Sequence, residues 1–376
     1  MLQRRVFISL PEGVQRAGPE CPIVCGDFIV QRPWWDRSVY ARRKPNLKIR
    51  AQAISAIRQY FNDQGFLEVE TPAIQVSPGI DGHIQPFDVS LEGPFDECKV
   101  QRYLHTSPEF SMKKLLAAGE EKIFQICHVF RNKESGRLHT PEFTMLEWYR
   151  AGENYEAIID DVVELVSCAA SATEQSYLRH NSFKTEVSKN WIKLTVADAF
   201  QQFANIDLLS QVDENGFGLS EKFIATARAI GIPCKADDQW DDVFHRVMMT
   251  RIEPEMSSGA PVLLIDFPSP VGALARNKRA NPRVCERVEA YVCGLELANG
   301  FSELTDAKEQ RRRFERDQAA FTCLYGTAPP IDEDFLNALV EMPESAGMAL
   351  GIDRLAMLLT GADNIGDVLW SPILLE

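Results

Sequence analysis

Between residues 47 and 63, apolar side chains recur every three or four positions: Ile49, Ala53, Ile54, Ile57, Tyr60 and Phe61. That spacing predicts an amphipathic helix, and Gly65 stops it. The pattern then shortens. Phe66, Leu67 and Val69 predict a strand that Thr71-Pro72 ends, and the glycines and prolines of residues 77–86 predict a loop. Residues 103–106 predict another strand. Ser107-Pro108-Glu109 opens a helix running to Leu116, with Ser107 as N-cap and Pro108 at the first position. Residues 123–130 and 143–149 predict two strands around a polar loop. Further on, the spacing predicts helices at 155–168, 195–203, 305–322 and 334–340, and largely helical structure over 205–255. Strands are expected at 191–194 and 262–267, a short one within 286–297, and a strand passing into a helix over 349–359. Strands separated irregularly by helices favour an α+β fold with a mixed or antiparallel sheet. Residues 1–45 carry Pro11, Pro19, Pro22, Pro33 and Pro45 and predict an irregular extension; residues 46–376 form the main domain.

Charge narrows the function. Lys and Arg total 40 against 54 Asp and Glu, a net charge of −14, so bulk nucleic-acid binding through a basic surface is not expected. With 45% hydrophobic and 25% charged residues the chain has globular composition. No apolar run reaches the roughly 18–20 residues that span a bilayer. The first run, VFISL, is cut by Pro11 and Glu12, too early for a secretory signal. Nine cysteines with no CxxC pair predict free thiols in a reducing cytoplasm and no zinc site. Arg42, Arg43, Lys44, Lys48 and Arg50 form a basic run that reads as a solvated helix start, or as a contact for an acidic partner.

Four segments place polar groups on apolar elements. Ser107-Pro108-Glu109 sets a carboxylate at a helix start, where it also suits the helix dipole. In residues 130–149, a loop with three cations and His139 joins two strands. The second strand puts Phe143, Met145, Glu147 and Tyr149 on one face. Glu147 among apolar neighbours requires a cation, while Arg131 and His139 suit a phosphate. A solvated hairpin would share much of this pattern. In residues 286–304, Glu289, Glu296, Asn299 and Glu303 lie among apolar residues, as in an acidic surface strip or a site for Mg²⁺ or an amine. In residues 347–355, Gly347, Ala349 and Gly351 permit close approach of a ligand, and Arg354 could clamp phosphate oxygens, though taken alone the pattern favours a tightly packed helix start.

Taken together, these segments resemble the three signature motifs of class II aminoacyl-tRNA synthetases: residues 65–72 motif 1, 130–149 motif 2 and 347–355 motif 3. The wording is closest to lysyl-tRNA synthetases. HTPEFTMLEWYR and GLELANGFSELTDA are similar to their shortened paralogues, which attach β-lysine to a lysine of translation elongation factor P. The resemblance covers residues 45–376 and implies a six-stranded antiparallel sheet flanked by helices, with motif 1 building a homodimer interface. It implies ATP and Mg²⁺. Arg131 would bind the α-phosphate and the amino-acid carboxylate, with Asn132, Lys133, Glu134, Thr140, Ala290 and Gly351 around the nucleotide. His139 and Arg354 would hold the γ-phosphate, and Phe143 would stack under adenine. Glu289 and Glu296 would hold Mg²⁺. Ser107, Pro108 and Glu109 would take the near amine; Glu147, Tyr149 and Glu303 the distant ammonium; Asn299 the carboxylate. Ala298 and Ala349 stand where lysyl-tRNA synthetases usually have glycine, and the second is associated in this family with β-amino acids.

Lysyl-tRNA synthetases also carry an N-terminal anticodon-binding barrel, and only about 45 residues precede the motifs here. No barrel and no stable tRNA binding are therefore expected, and elongation factor P is the expected acceptor. The alternatives are a minimal lysyl-tRNA synthetase and a non-catalytic paralogue. Two positions depart from the family pattern: Lys133 replaces a motif 2 glutamate that contacts adenine, and Thr140 replaces asparagine.

Overall fold

Six neighbouring strands pair antiparallel through one sheet. In sheet order they are β5 (Val262–Pro268), β6 (Asn281–Val292), β7 (Leu295–Ser302), β8 (Ser345–Gly351), β3 (Glu142–Ala151) and β2 (Lys122–Phe130). A short parallel strand closes each end: β4 (Ile192–Thr195) beside β5, and β1 (Leu67–Glu68) beside β2. The expected six-stranded antiparallel sheet is thus the centre of a wider mixed one. This computed structural model describes residues 32–79, 84–94, 99–257 and 259–373, with the backbone of a hairpin at Val24–Cys25 and Phe28–Ile29. The role of residues 1–31 and part of the loop over 77–86 lie outside the described residues. The chain falls into two units, Met1–Lys44 and Pro45–Glu376. Among the described residues there is no barrel.

The longer helices are α1 (Arg37–Asp63), α2 (Glu109–Ala117), α3 (Tyr155–Ala172), α4 (Ser220–Ala229), α5 (Trp240–Val247), α6 (Ala307–Tyr325), α7 (Glu333–Glu341) and α8 (Ile352–Thr360). α1 starts earlier than the apolar periodicity predicts. Residues 37–45 are helical because the Asp36 carboxylate accepts from the Ser38 and Val39 amides, an N-cap that precedes the apolar stripe. Gly65 ends the turn after α1 at φ +76°, a conformation that favours glycine. α2 starts one residue later than expected, with Pro108 at the cap position, while the Ser107 hydroxyl accepts from the Glu109 amide.

The largest departure lies at residues 281–302, read as one short strand. They form two long strands, β6 and β7, turned by Cys293 and Gly294 at φ +51° and +77°. Two successive positive φ values make a hairpin turn whose twist matches its strands, a conformation a Cys-Gly pair signals weakly.

One face of the sheet packs on α3 and α8. Ile158, Val162 and Leu165 of α3 meet Trp148, Met348 and Leu350. Behind that core, the Asp161 carboxylate accepts two bonds from Arg150 (both 2.7 Å), one from Tyr60 and one from the Trp148 indole. A second cluster, including Phe200, Phe223, Trp240 and Phe244, packs the helices after β4 on β5. Arg50, assigned above to the basic run, is buried: its guanidinium lies 2.6 Å from Asp353, whose other oxygen accepts from the Thr144 amide at 2.8 Å. α1, β3 and α8 are thereby tied at one point. Removing one partner strands a buried charge, so Asp353→Ala is expected to lower the unfolding free energy by about 3–5 kcal/mol. Urea titration checks this, and a loss below about 1 kcal/mol would show that the pair is dispensable.

Candidate active site

The register of the sheet builds the site. Glu289 of β6 faces Asn299 of β7, which faces Ala349 of β8, which faces Glu147 of β3. Residues directly opposite share a face, so these four form one transverse row. Two residues along runs a second row on the same face: Arg287, Phe301, Gly347 and Tyr149. An irregularity in the β6–β7 pairing then sets Tyr291 opposite Glu296, leaving Leu297 as an extra residue. This bulge brings Glu296 onto the face that carries Glu289; strict alternation from Asn299 would turn it away.

A cavity of about 570 Å³ lies over these rows. Most of the expected site residues line it: Ser107, Glu109, Arg131, Glu134, His139, Thr140, Phe143, Glu147, Tyr149, Glu296, Ala298, Asn299, Ala349, Gly351 and Arg354. Pro108, Asn132, Lys133, Glu289, Ala290 and Glu303 stand off its wall.

At one end the charges are carboxylates. Glu147 is buried and accepts from the Ser107 hydroxyl at 2.6 Å and from the Tyr149 hydroxyl at 2.5 Å. Burial, reinforced by the nearby Glu109, pushes its pKa up to about 7. Glu303 is 1% exposed, and burial pushes it up too, against the pull of Lys113. Gly347 admits the Tyr149 ring: a Cβ there would stand 2.2 Å from a ring carbon and 2.8 Å from Glu303 Oε1. The Lys113 ammonium lies 2.5 Å from Glu109 and 2.5 Å from Glu303. The sequence reading left these carboxylates without an internal cation. Lys113 stands four residues after Glu109 on α2, a spacing that could have signalled the pair.

The other end is cationic. Arg354 Nη1 donates to the Glu296 carbonyl at 2.6 Å, and Nη2 bonds the His139 Nε2 at 2.9 Å. Arginine has no acceptor, so this ring nitrogen accepts and His139 is held neutral. Its pKa is lowered by burial and by Arg354. The Arg131 guanidinium lies 5.1 Å from the centre of the Phe143 ring and 4.0 Å from Glu134, and its Nε is buried without a partner. Asn132 turns the chain, its side chain accepting from the Lys133 amide. Lys133 takes φ +64°, and its ammonium stands 5.9 Å from the Tyr325 ring, so Glu134 rather than Lys133 faces the cavity.

Arg287 also escaped the sequence reading. Its guanidinium lies 2.7 Å from Glu289 and 4.6 Å from the Phe267 ring, and bonds Asn299 Oδ1. The other Glu289 oxygen accepts from the Tyr291 hydroxyl at 2.8 Å. Burial, with Glu296 adding to it, still raises Glu289 to about 7. Asp241 and His245 of α5, with Arg316 and Asp317 of α6, complete the wall; on helices with polar faces nothing in the sequence marked them. Among the described residues no three His, Cys, Asp or Glu side chains gather to hold a metal unaided, and no helix is long and apolar enough to cross a membrane.

An antiparallel sheet with a carboxylate-lined and an arginine-lined end over the same face is the arrangement the three motifs imply. Residues 28–374 match the tRNA synthetases class II (D, K and N), and the chain belongs to that family. Among curated proteins it is similar to elongation factor P–(R)-beta-lysine ligase of Sodalis glossinidius, at 39% identity over 86% of this chain and 94% of that protein. The enzymes of the same name from Pectobacterium carotovorum (40%; 86% and 94%) and Proteus mirabilis (39%; 87% and 95%) are similar to the same degree.

Glu147 carries a pH signature. Its folded pKa, about 7, stands above the ordinary 4.5, so the stability it contributes is complete below pH 4.5 and is lost as pH rises through 7. Glu147→Gln is therefore expected to flatten the fall in unfolding free energy between those values by up to about 1.4 kcal/mol per pH unit. Denaturant titrations across that range measure it; an unchanged slope would place the Glu147 titration elsewhere.

Proposed function

We propose that this chain is an elongation factor P–(R)-β-lysine ligase: it activates (R)-β-lysine, or lysine, with ATP and transfers it to a lysine of elongation factor P. One observation carries the reading: a single cavity sets buried carboxylates at one end against Arg131, His139 and Arg354 at the other. A diamino acid offers ammonium groups to the first end and a carboxylate toward the second, where the phosphates bind. The similarity to curated ligases over nearly their whole length supports this choice of reaction.

In the first step a carboxylate oxygen of the amino acid attacks the α-phosphorus of ATP, and the bond to pyrophosphate breaks. Arg131 would neutralise charge on the α-phosphate and the attacking carboxylate, its free Nε supplying a donor. Arg354 and His139 would hold the γ-phosphate, Phe143 the adenine, and Glu134 its amino group in place of the missing glutamate at position 133. Asn299 would hold the amino-acid carboxylate. Ser107 and Glu109 would take the near amine; Glu147, Tyr149 and Glu303 the distant one. Ala349, beside Glu147 in the row, shapes the floor under the substrate. In the second step a neutral lysine amine of the acceptor attacks the acyl carbon, AMP leaves, and the amine gives up a proton.

Glu296 lines the cavity and Glu289 stands behind it on the same face, paired with Arg287; the two carboxylates repel one another, and Mg²⁺, which uses one or two carboxylates together with substrate phosphates, suits them. They would hold the ion, which screens phosphate charge. We place the active form as a homodimer through motif 1, in the cytoplasm.

Amino-acid-dependent ATP–pyrophosphate exchange tests the reading. Exchange strongest with (R)-β-lysine, followed by labelling of elongation factor P, is the expected result; charging of tRNA instead would assign the protein to the synthetases proper, and no exchange would leave a non-catalytic paralogue. Arg131→Ala is expected to lower exchange by at least about a hundredfold. Because Lys133 points away from the cavity, Lys133→Glu is expected to leave the KM for ATP the same or lower, whereas Glu134→Gln should raise it. A marked loss of activity in Lys133→Glu would show that Lys133 contacts the nucleotide.

A further inference from the structure

We infer that Lys113 is a built-in ammonium that sets both the charge and the spacing of the amine-binding end, and so fits it to an amino acid carrying two ammonium groups. This rests on the reading of the cavity as an aminoacyl-adenylation site. Three carboxylates meet there, Glu109, Glu147 and Glu303, and they interact with one another electrostatically. Lys113 lies between two of them, 2.5 Å from each, and is 1% exposed. Glu147 is held by neutral hydroxyls instead. With the carboxylates ionised, as a bound ammonium favours, the three of them and one ammonium leave two negative charges for a ligand to balance.

A diamino acid balances both, and its own carboxylate is left for Arg131. A monoamino acid would leave a buried carboxylate uncompensated, which costs more than the missing contact. Without Lys113 the same penalty would fall on the diamino acid itself. The bridge also fixes distance. It joins Glu109 at the start of α2 to Glu303 just beyond β7, the two carboxylates assigned to opposite amines of the substrate. The rings of Phe301 and Phe335, 5.3 and 5.9 Å from the ammonium, wall it in place.

Lys113 is thus a positioning residue, and kinetics separate that role from a simple brace. ATP–pyrophosphate exchange is measured on the full chain for wild type, Lys113→Met and Lys113→Ala. Lys113→Met is expected to raise the KM for (R)-β-lysine by at least about tenfold while the KM for ATP stays within about twofold. Ethylammonium chloride is expected to restore exchange to Lys113→Ala, and tetramethylammonium chloride, too large and without N–H donors, is not. An unchanged KM for the amino acid, parallel rises in both KM values, or equal effects of the two salts would overturn the proposal. So would failure of both variants to fold, which would assign Lys113 to the fold alone. Lack of exchange in wild type with any diamino acid would overturn the adenylation reading as well, and is recognised because it precedes any substitution.

Discussion

Strand register is the constraint on which the rest depends. Glu289, Asn299, Ala349 and Glu147 come from four strands and share one row because each pairs directly with the next. Side chains alternate along a strand, so a slip of one residue at any of these pairings would send one member to the hydrophobic face. The apolar residues between them, Leu146, Trp148, Met348 and Leu350, enforce the register by filling the core against α3 and α8. Core and site are the two faces of one alternation.

That arrangement lets a protein of net charge −14 hold strong local fields of both signs. Each buried charge at the cavity is offset or left poised. Lys113 offsets Glu109 and Glu303, Arg287 offsets Glu289, and hydroxyls serve Glu147. Arg131 keeps an unpartnered donor. Fixed groups in a low-dielectric cleft need little reorganisation when charge develops on a reacting phosphate. The same burial raises Glu147 and Glu289 toward neutrality, so before an ammonium or metal ion binds the cleft carries less negative charge than its residue types suggest.

Much of this was legible in the sequence where the signal is local. Period-two alternation from Phe143 to Tyr149 gave the correct cavity face, and the motif wording gave the family. What stayed hidden depends on partners distant in sequence or on backbone shape. Arg50 reads as one more surface cation until Asp353 is found beside it. The length of β6 and β7 was missed because Cys293 and Gly294 make an unsignalled turn between them. The bulge that re-aims Glu296 has no residue signature. The displacement of Lys133 by Glu134 arises from a left-handed backbone conformation that lysine seldom adopts.

Strand β8 lies between β7 and β3, although β3 is made far earlier in the chain. Until β8 is synthesised, β3 and β7 each lack the partner that covers one of their hydrogen-bonding edges. Such late, long-range closure is slow and leaves edges open to wrong pairing. The strand that completes the cavity floor is therefore also the last strand of the sheet to be synthesised, so one segment both completes the site and covers the open edges of β3 and β7.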